Sequence, residues 1–549
     1  MATKATGVPP VWRIAALSRV AMVLLMLTFD ALVDDYDTSG RLSPDDGVSG
    51  KSSGLDEHLR SPSSPLCAAV EGLVTWDAVY FQRISEVGYE HEQTHAFFPL
   101  IPAVTRGVAS ASSALAGATS SDEGNAPGAR FYSPRVARCA RAVSALLISN
   151  GAHVAAAVVL ERLGTLVLEG DDDDDDVHKV ARSAAVLFAL NPASVFHSAP
   201  FYTESVFALA GFAGFYFLER GARFASVPNA RATSASVWNR NGAALCFALA
   251  CAARSNGALN SLVLAHDFFA RVLPSVAFGP KQNKRRGKNA PGSRGKNASY
   301  VLPLFAATFA FAARCATTLA PLFALQLYGY RTYCARALGA ETPAWCGRWR
   351  PFPNVYAHVQ SHYWNVGFLR YYEAKQIPNF LLAAPALAVS ASAGRSWWTA
   401  FRVHTNARKR DENEPTRAGA RRRGGSRDGG GFPDKNASLK QKRNRDGSER
   451  DAWMLSPSVR PYLFKWAVMS VVALLVMHVQ VTTRFLSVTP GIYWFLAKRG
   501  FAEAEREAAG KRKRTSGKRP SVWRRAVTLY SISFFMLGAL LFPTFYPWT

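Results

Sequence analysis

The chain has 549 residues, 49% of them hydrophobic, and a formal charge of +26 from 65 Lys and Arg against 39 Asp and Glu. A mean hydropathy of −0.02 hides long apolar blocks separated by strongly polar loops, a pattern that sets aside a string of soluble domains. Nucleic-acid binding is set aside too: the Lys and Arg lie in loops between apolar blocks with no recognisable nucleic-acid module, and basic loops are what keeps a loop on the cytosolic face of a membrane.

The blocks predict an all-α polytopic membrane protein with about eleven transmembrane helices, each needing roughly 20 apolar residues. Residues 1–11 form a cytosolic N-terminus and 12–33 a first span, read as a retained anchor rather than a cleaved signal peptide, although Arg19 and Asp30 sit poorly in lipid. Residues 34–95 form a first lumenal loop with a flexible Ser/Pro/Gly-rich piece. A multi-span core over 96–393 follows. Its first member, 96–116, carries Arg106 and leads to a cytosolic connection marked by Arg130, Arg135, Arg138 and Arg141. A block at 142–168 precedes the six aspartates Asp171–Asp176, expected as a disordered linker because adjacent carboxylates do not converge on an ion.

Two apolar arms over 180–218 flank NPASVFHSAPFYTES, where two prolines break the helix and place Tyr202, Thr203 and Glu204 at the break. A cavity-lining break and a plain tight turn suit this equally. The arm 242–268 puts Arg254 in mid-membrane, where a cation needs a partner. In this scheme the loop 219–241, with four Arg, falls in the lumen against the charge rule. Reading 242–268 as a hairpin would remove that conflict but swap the sides of the loops upstream.

Further on, 271–299 is a basic cytosolic insertion, 300–327 crosses to a lumenal loop at 328–376, and 377–393 returns. A basic low-complexity loop at 394–460, a hairpin at 461–497, a basic loop at 498–524 and a C-terminal segment at 525–549 complete the chain. The sequons at 297–299 and 436–438 fall on the cytosolic side and stay unused. Cys246, Cys251 and Cys315 lie in apolar blocks and act as small hydrophobes. Cys334 and Cys346 share a lumenal loop where a disulfide can persist, and the sequence leaves their pairing open.

The chain is organised around TWDAVYFQRISEVGYEHEQTHAFFPLIP, where Asp77, Glu86, Glu90, Glu92, His91 and His95 alternate with aromatics. Acids beside aromatics at a bilayer boundary suit a polar headgroup on an apolar tail, and equally an interfacial aromatic belt. Several separated blocks resemble the second mannosyltransferase of GPI-anchor assembly, the GPI mannosyltransferase 2 family. They are 76–102, NPASVFHSAPFYTES at 191–205, ARSNG at 253–257, YAHVQSHYWNVGFLRYYEAKQIPNFLLAAP at 356–385, HVQVTTRFLS at 478–487 and the terminal FYPWT.

The resemblance implies a GT-C-type glycosyltransferase of the endoplasmic reticulum membrane, its site built by lumenal loops. It implies dolichyl-phosphate-mannose as donor and a GPI precursor with one mannose as acceptor, extended in α1,6 linkage with inversion. No cofactor or metal is needed, since a lipid phosphate is already a good leaving group. In some lineages such enzymes have a small accessory membrane subunit. The attacking hydroxyl needs a positioned base, which GT-C enzymes draw from the first lumenal loop: Asp77, with Glu90 and Glu92 in reserve. The competing role for Asp77 is a helix N-cap. Arg254, Arg370 and Arg484 are candidates for the phosphate. His362 and His478 are candidate donors, while Trp76, Gln360, Tyr363, Trp364 and Asn365 suit a sugar platform. Glu204, Asn256 and Gln480 complete the substrate-binding set. The alternatives are another dolichyl-phosphate-sugar-dependent transferase, or a lipid or sugar transporter without catalysis. A transporter would show internal repeats and midplane sites, and the sequence shows no obvious repeat.

Overall fold

The computed structural model describes residues 9–36, 64–119, 134–169, 174–225, 230–278, 301–335, 343, 345–348, 354–418, 451–511 and 522–548. The two sequons and aspartates 171–173 lie outside these residues. Among the described residues every regular element is helical. The first group is α1 (Val11–Leu32), α2 (Pro65–Gly72), α3 (Asp77–Val87), α4 (Leu100–Thr119), α5 (Pro134–Leu168) and α6 (Asp174–Ala189). The second is α7 (Glu204–Ala225), α8 (Ala230–Ala253), α9 (Ser261–Asp267), α10 (Leu273–Phe278) and α11 (Val301–Tyr333). The last group is α12 (Trp345–Arg348), α13 (Val355–Tyr363), α14 (Ile377–Ala418), α15 (Arg460–Leu475), α16 (Thr482–Leu486), α17 (Pro490–Lys511) and α18 (Val522–Leu541). Five described stretches, in α1, α5, α11, around α14 and in α18, are long and apolar enough to cross a membrane.

The main core joins α5 to α9 with α15 and α17, and much of it is alanine (Ala156, Ala157, Ala184, Ala185, Ala208, Ala243) packed around Phe188, Phe207, Phe215 and Phe247. Small residues let helix backbones approach closely, which is how helices gain packing energy in lipid. A second cluster joins α1, α2 and α3 to residues 193–202 and to Ala539 and Phe542. It carries the site. By contrast α11 exposes Val301, Leu302, Phe305 and Phe309, as a lipid-facing helix should.

Arg19, out of place on a lipid-exposed helix, is 2% exposed. Its guanidinium donates to the Ser194 carbonyl (2.8 Å), Ser198 Oγ (2.9 Å), Ser194 Oγ (2.9 Å) and the Ala189 carbonyl (3.3 Å). The Ala189 carbonyl has no backbone partner because the helix ends there, ahead of Pro192, and the Ala193 N–H that would have met it is turned elsewhere, so one misfit answers the other. Asn191 helps: its Oδ1 accepts from the Ala193 N–H at 2.8 Å, an Asx-type turn.

Three expectations about loop placement are corrected. Residues 96–116 do not carry the chain to the end opposite the first loop. Arg106 of α4 caps the last carbonyls of α3, Ser85 at 2.7 Å and Ile84 at 3.0 Å. Arg138, expected across the membrane, lies 3.6 Å from Glu86 of α3, and Cys139 is bonded to Cys67 of α2. Second, the end of α7 and the start of α8 lie away from the site. Both helices begin or end at the site, at Glu204 and Arg254, and a 22-residue helix spans about 33 Å. Further from the site along the two helices, Arg240 pairs with Asp267 at 2.7 Å, and Arg271 pairs with Glu219 at 2.9 Å. Third, 242–268 is not one arm: α8 stops at Ala253, and residues 255–278 run back towards Glu219. This is the hairpin alternative for 242–268.

Helix limits shift as well. α14 continues through residues expected as loop, to Ala418, and Asp174–Asp176 open α6 instead of a disordered linker, with the charge of Asp175 and Asp176 at a helix N-terminus. Cys334 and Cys346 are disulfide-bonded.

Candidate active site

α3 begins at Asp77 after an unusual step. Trp76 has φ +55°, a left-handed conformation that costs a bulky residue about 1–3 kcal/mol. It is held there by its indole, which donates from Nε1 to the Phe542 carbonyl at 3.2 Å and packs on Phe545 at 5.9 Å. The result is that Asp77 is the first residue of α3, not its N-cap, and its carboxylate remains 38% exposed.

Under it lies a charged array. Arg484 of α16 donates from Nη1 to Asp77 Oδ2 at 2.8 Å and from Nε to Glu204 Oε1. Arg254, closing α8, donates to the same Glu204 oxygen and to Thr203 Oγ1 at 3.3 Å. Glu204 is fully buried, so two guanidiniums share one sunken carboxylate while Arg484 also reaches the surface acid. Phe196 and Tyr202 flank the Arg484 guanidinium at 5.1 and 4.9 Å. Two carboxylates and two guanidiniums balance in charge, which makes their burial tolerable.

Arg254 is followed by a 3-10 turn, Ser255–Asn260, pressed against α8. A Cβ on Gly257 would stand 2.4 Å from the Cys251 backbone, so the turn can sit there only with glycine. Ser255 bonds Tyr356 at 2.8 Å and ties the turn to α13.

Over this array opens a cavity of about 670 Å3. Of the residues singled out in the sequence, Trp76, Asp77, Arg254, Asn256, Gln360, Trp364, His478, Gln480 and Arg484 line it. The Asn256 side chain has buried polar atoms with no hydrogen-bond partner among the described residues, a state that a ligand's hydroxyls would relieve. His478 contacts the Trp364 carbonyl through Nε2 at 2.6 Å and stacks on Tyr371. Apolar wall is supplied by Leu259, Val472, Val476 and Met477.

Other expected residues lie outside the cavity lining. Glu90 is paired with Arg83 at 2.7 Å, and Glu92 lies 2.9 Å from His358. His362 stacks on His358, Arg370 bonds Ser361, and Tyr363 is 45% exposed. Asn365 occupies a left-handed turn position at φ +51°. Glu204 sits beneath the cavity rather than on its surface. Phe196, Tyr202, Tyr356, Phe542 and Trp548 line it and were not in the expected set. The signal for four of them was present in NPASVFHSAPFYTES, FYPWT and the 356–385 block.

In the polar rim, burial pushes the Tyr89 hydroxyl well above its ordinary range, and its OH donates to the Phe97 carbonyl at 2.7 Å. His95 is fully buried against Tyr89 and Tyr333 (4.8 and 5.4 Å), and burial lowers its pKa despite nearby backbone acceptors.

Fold and site together define a multi-pass membrane protein with an acid–guanidinium pocket at one end of its helices. Residues 8–549 match the model of the family described as Mannosyltransferase (PIG-V). The GPI alpha-1,6-mannosyltransferase 2 of Mus musculus is 29% identical over 98% of both chains. The Homo sapiens protein of the same name is 30% identical, over 89% of this chain and 83% of that one. The apo oligosaccharyltransferase of Archaeoglobus fulgidus superposes with TM-score 0.41 and 13% identity, over 96% of this chain and 56% of that structure. The chain belongs to the PIG-V mannosyltransferase family and is a glycosyltransferase.

Proposed function

We propose that this chain adds the second mannose of a GPI precursor, in α1,6 linkage, taking it from dolichyl-phosphate-mannose in the lumen of the endoplasmic reticulum. Support comes from the names of its relatives and above all from one observation: Asp77 and the Arg254–Arg484 pair face the same cavity. In the reaction the acceptor hydroxyl oxygen attacks C1 of the donor mannose. The C1–O bond to phosphate breaks, the hydroxyl proton passes to the Asp77 carboxylate, and dolichyl phosphate leaves with the bonding electrons. Arg254 and Arg484, which suit phosphate through paired donors, receive the growing charge. Asn256 and Gln360 meet sugar hydroxyls, and Trp76 and Trp364 offer ring faces to their C–H surfaces. Partners are thus the two lipid-linked substrates, and an accessory membrane subunit remains part of the proposal only by family likeness.

The test uses membranes from cells lacking the enzyme, given donor and a GPI precursor with one mannose. Wild-type protein is expected to yield a two-mannose product. Asp77→Asn is expected to abolish it with the protein still present in normal amount. Undiminished product from Asp77→Asn would overturn the assignment. Cysteines placed beside Trp76 and labelled from the cytosol would overturn the lumenal placement.

A further inference from the structure

Behind the charged array lies a buried group that the scheme above does not use. His197 lies in the broken segment between α6 and α7 and is wholly buried. Its Nε2 is 3.0 Å from Ser487 Oγ and its Nδ1 is 3.2 Å from Ser205 Oγ. Ser487 follows Arg484 by three residues and donates to the Arg484 carbonyl at 2.7 Å. Ser205 follows Glu204 directly and donates to the His197 carbonyl at 2.8 Å. One imidazole therefore spans the two chain segments that carry Arg484 and Glu204. The neighbours of His197, Phe196 on one side and Tyr202 further along, also hold the Arg484 guanidinium.

Each serine hydroxyl has one proton, and each is directed at a backbone carbonyl. A neutral imidazole has one N–H and one lone pair. With a neutral ring, one of the two serines must therefore turn its hydroxyl towards it, and ring and serines form a single hydrogen-bonded string. Such buried strings hold their members in one arrangement only when complete.

We propose that His197 is a positioning residue for the Asp77–Arg484–Glu204 array, fixing the Arg484 backbone so that its guanidinium aligns the Asp77 carboxylate. This rests on the reading of Asp77 as base. His197 touches no substrate, and its effect passes through Ser487. A misplacement of the order of 1 Å at a reacting group costs up to about 100-fold in rate.

The experiment compares His197→Leu, His197→Gln, Ser487→Ala and Asp77→Asn in the membrane assay, with protein amounts matched. His197→Leu and Ser487→Ala are expected to lower kcat by roughly 10-fold or more and leave the acceptor KM within about twofold, the split expected when alignment rather than binding is lost. His197→Gln, whose amide reaches the Nε2 position, is expected to recover most of the rate. A merely structural role would lower the amount of protein and leave kcat per molecule unchanged. If His197→Leu fails to accumulate, Ser487→Ala, which keeps the ring and its Ser205 contact, decides. Wild-type kcat in Ser487→Ala with Asp77→Asn inactive overturns this inference alone. Full activity in Asp77→Asn overturns the reading of the site itself.

Discussion

Arg484 and Asp77 meet across 407 residues of chain at 2.8 Å, and the same guanidinium reaches down to Glu204. A surface acid is thereby tied to a buried one through a single cation. The buried end of that array dominates its energetics, because a buried ion stripped of its partner is far more costly than an exposed one.

Glu204→Gln is therefore expected to destabilise the protein by about 3–5 kcal/mol, by leaving two guanidiniums without their shared carboxylate. Thermal unfolding in detergent measures it. Combining Glu204→Gln with Arg254→Met is expected to recover part of the loss, since one of the stranded cations is removed. A double variant worse than the single one would contradict this account.

Gly257→Ala is expected to impair the enzyme although glycine offers no side chain to substrate. The added methyl would collide with the α8 backbone at 2.4 Å, and overpacking of this kind typically costs about 1–3 kcal/mol. Displacement of the 3-10 turn also moves Arg254 and Asn256. A clear fall in kcat/KM is expected, and wild-type kinetics would show the turn to be tolerant.

The two disulfides should differ in weight. Cys67–Cys139 closes a loop with a separation of 72, and Cys334–Cys346 one of 12. Chain-entropy arguments give about 4 kcal/mol for the first and about 3 kcal/mol for the second. Replacing Cys67 and Cys139 by Ala should thus lower Tm more than replacing Cys334 and Cys346. Equal losses would imply that native packing, not loop closure, sets their contribution.

His95 predicts an acid-sensitive fold. Burial holds its folded-state pKa below the usual value of about 6.5, the unfolded value. Its contribution is complete above that value and is lost as pH falls through the lower, folded one. Tm is expected to drop between pH 7 and pH 5, and His95→Phe to flatten that drop. An unchanged slope would place the acid sensitivity elsewhere.

Local chemistry made part of the site legible. An acid after a tryptophan, an arginine beside Ser-Asn-Gly and an arginine after paired threonines were each singled out, and all three line one cavity. Glu90 and Glu92 were equally plausible by type, yet Arg83 and His358 have claimed them, and no periodicity announces such pairings. α4 has the length of a membrane span but is not among the five described stretches apolar enough to cross one. Only Arg106 hinted at this, and its role became plain once the last carbonyls of α3 were found beside it. The Cys67–Cys139 bond was hidden by the same misplacement, since the two were assigned to opposite faces. The split of 242–268 was half legible: a hairpin was the alternative reading, and Arg254, Ser255, Asn256 and Gly257 mark its place, but a polar cluster in an apolar arm suits a mid-membrane cation as well as a turn.

The guanidinium of Arg19 has a consequence for biosynthesis. Its acceptors lie 170 to 179 residues later in the chain. At translation speeds of 5–20 residues per second they emerge roughly 10 to 35 seconds after Arg19 does. A nascent first helix cannot diffuse freely into bilayer during that interval without burying an unpaired cation. It must wait beside the ribosome-bound insertion machinery, or with Arg19 drawn to the lipid surface, until the polypeptide that answers it has been made.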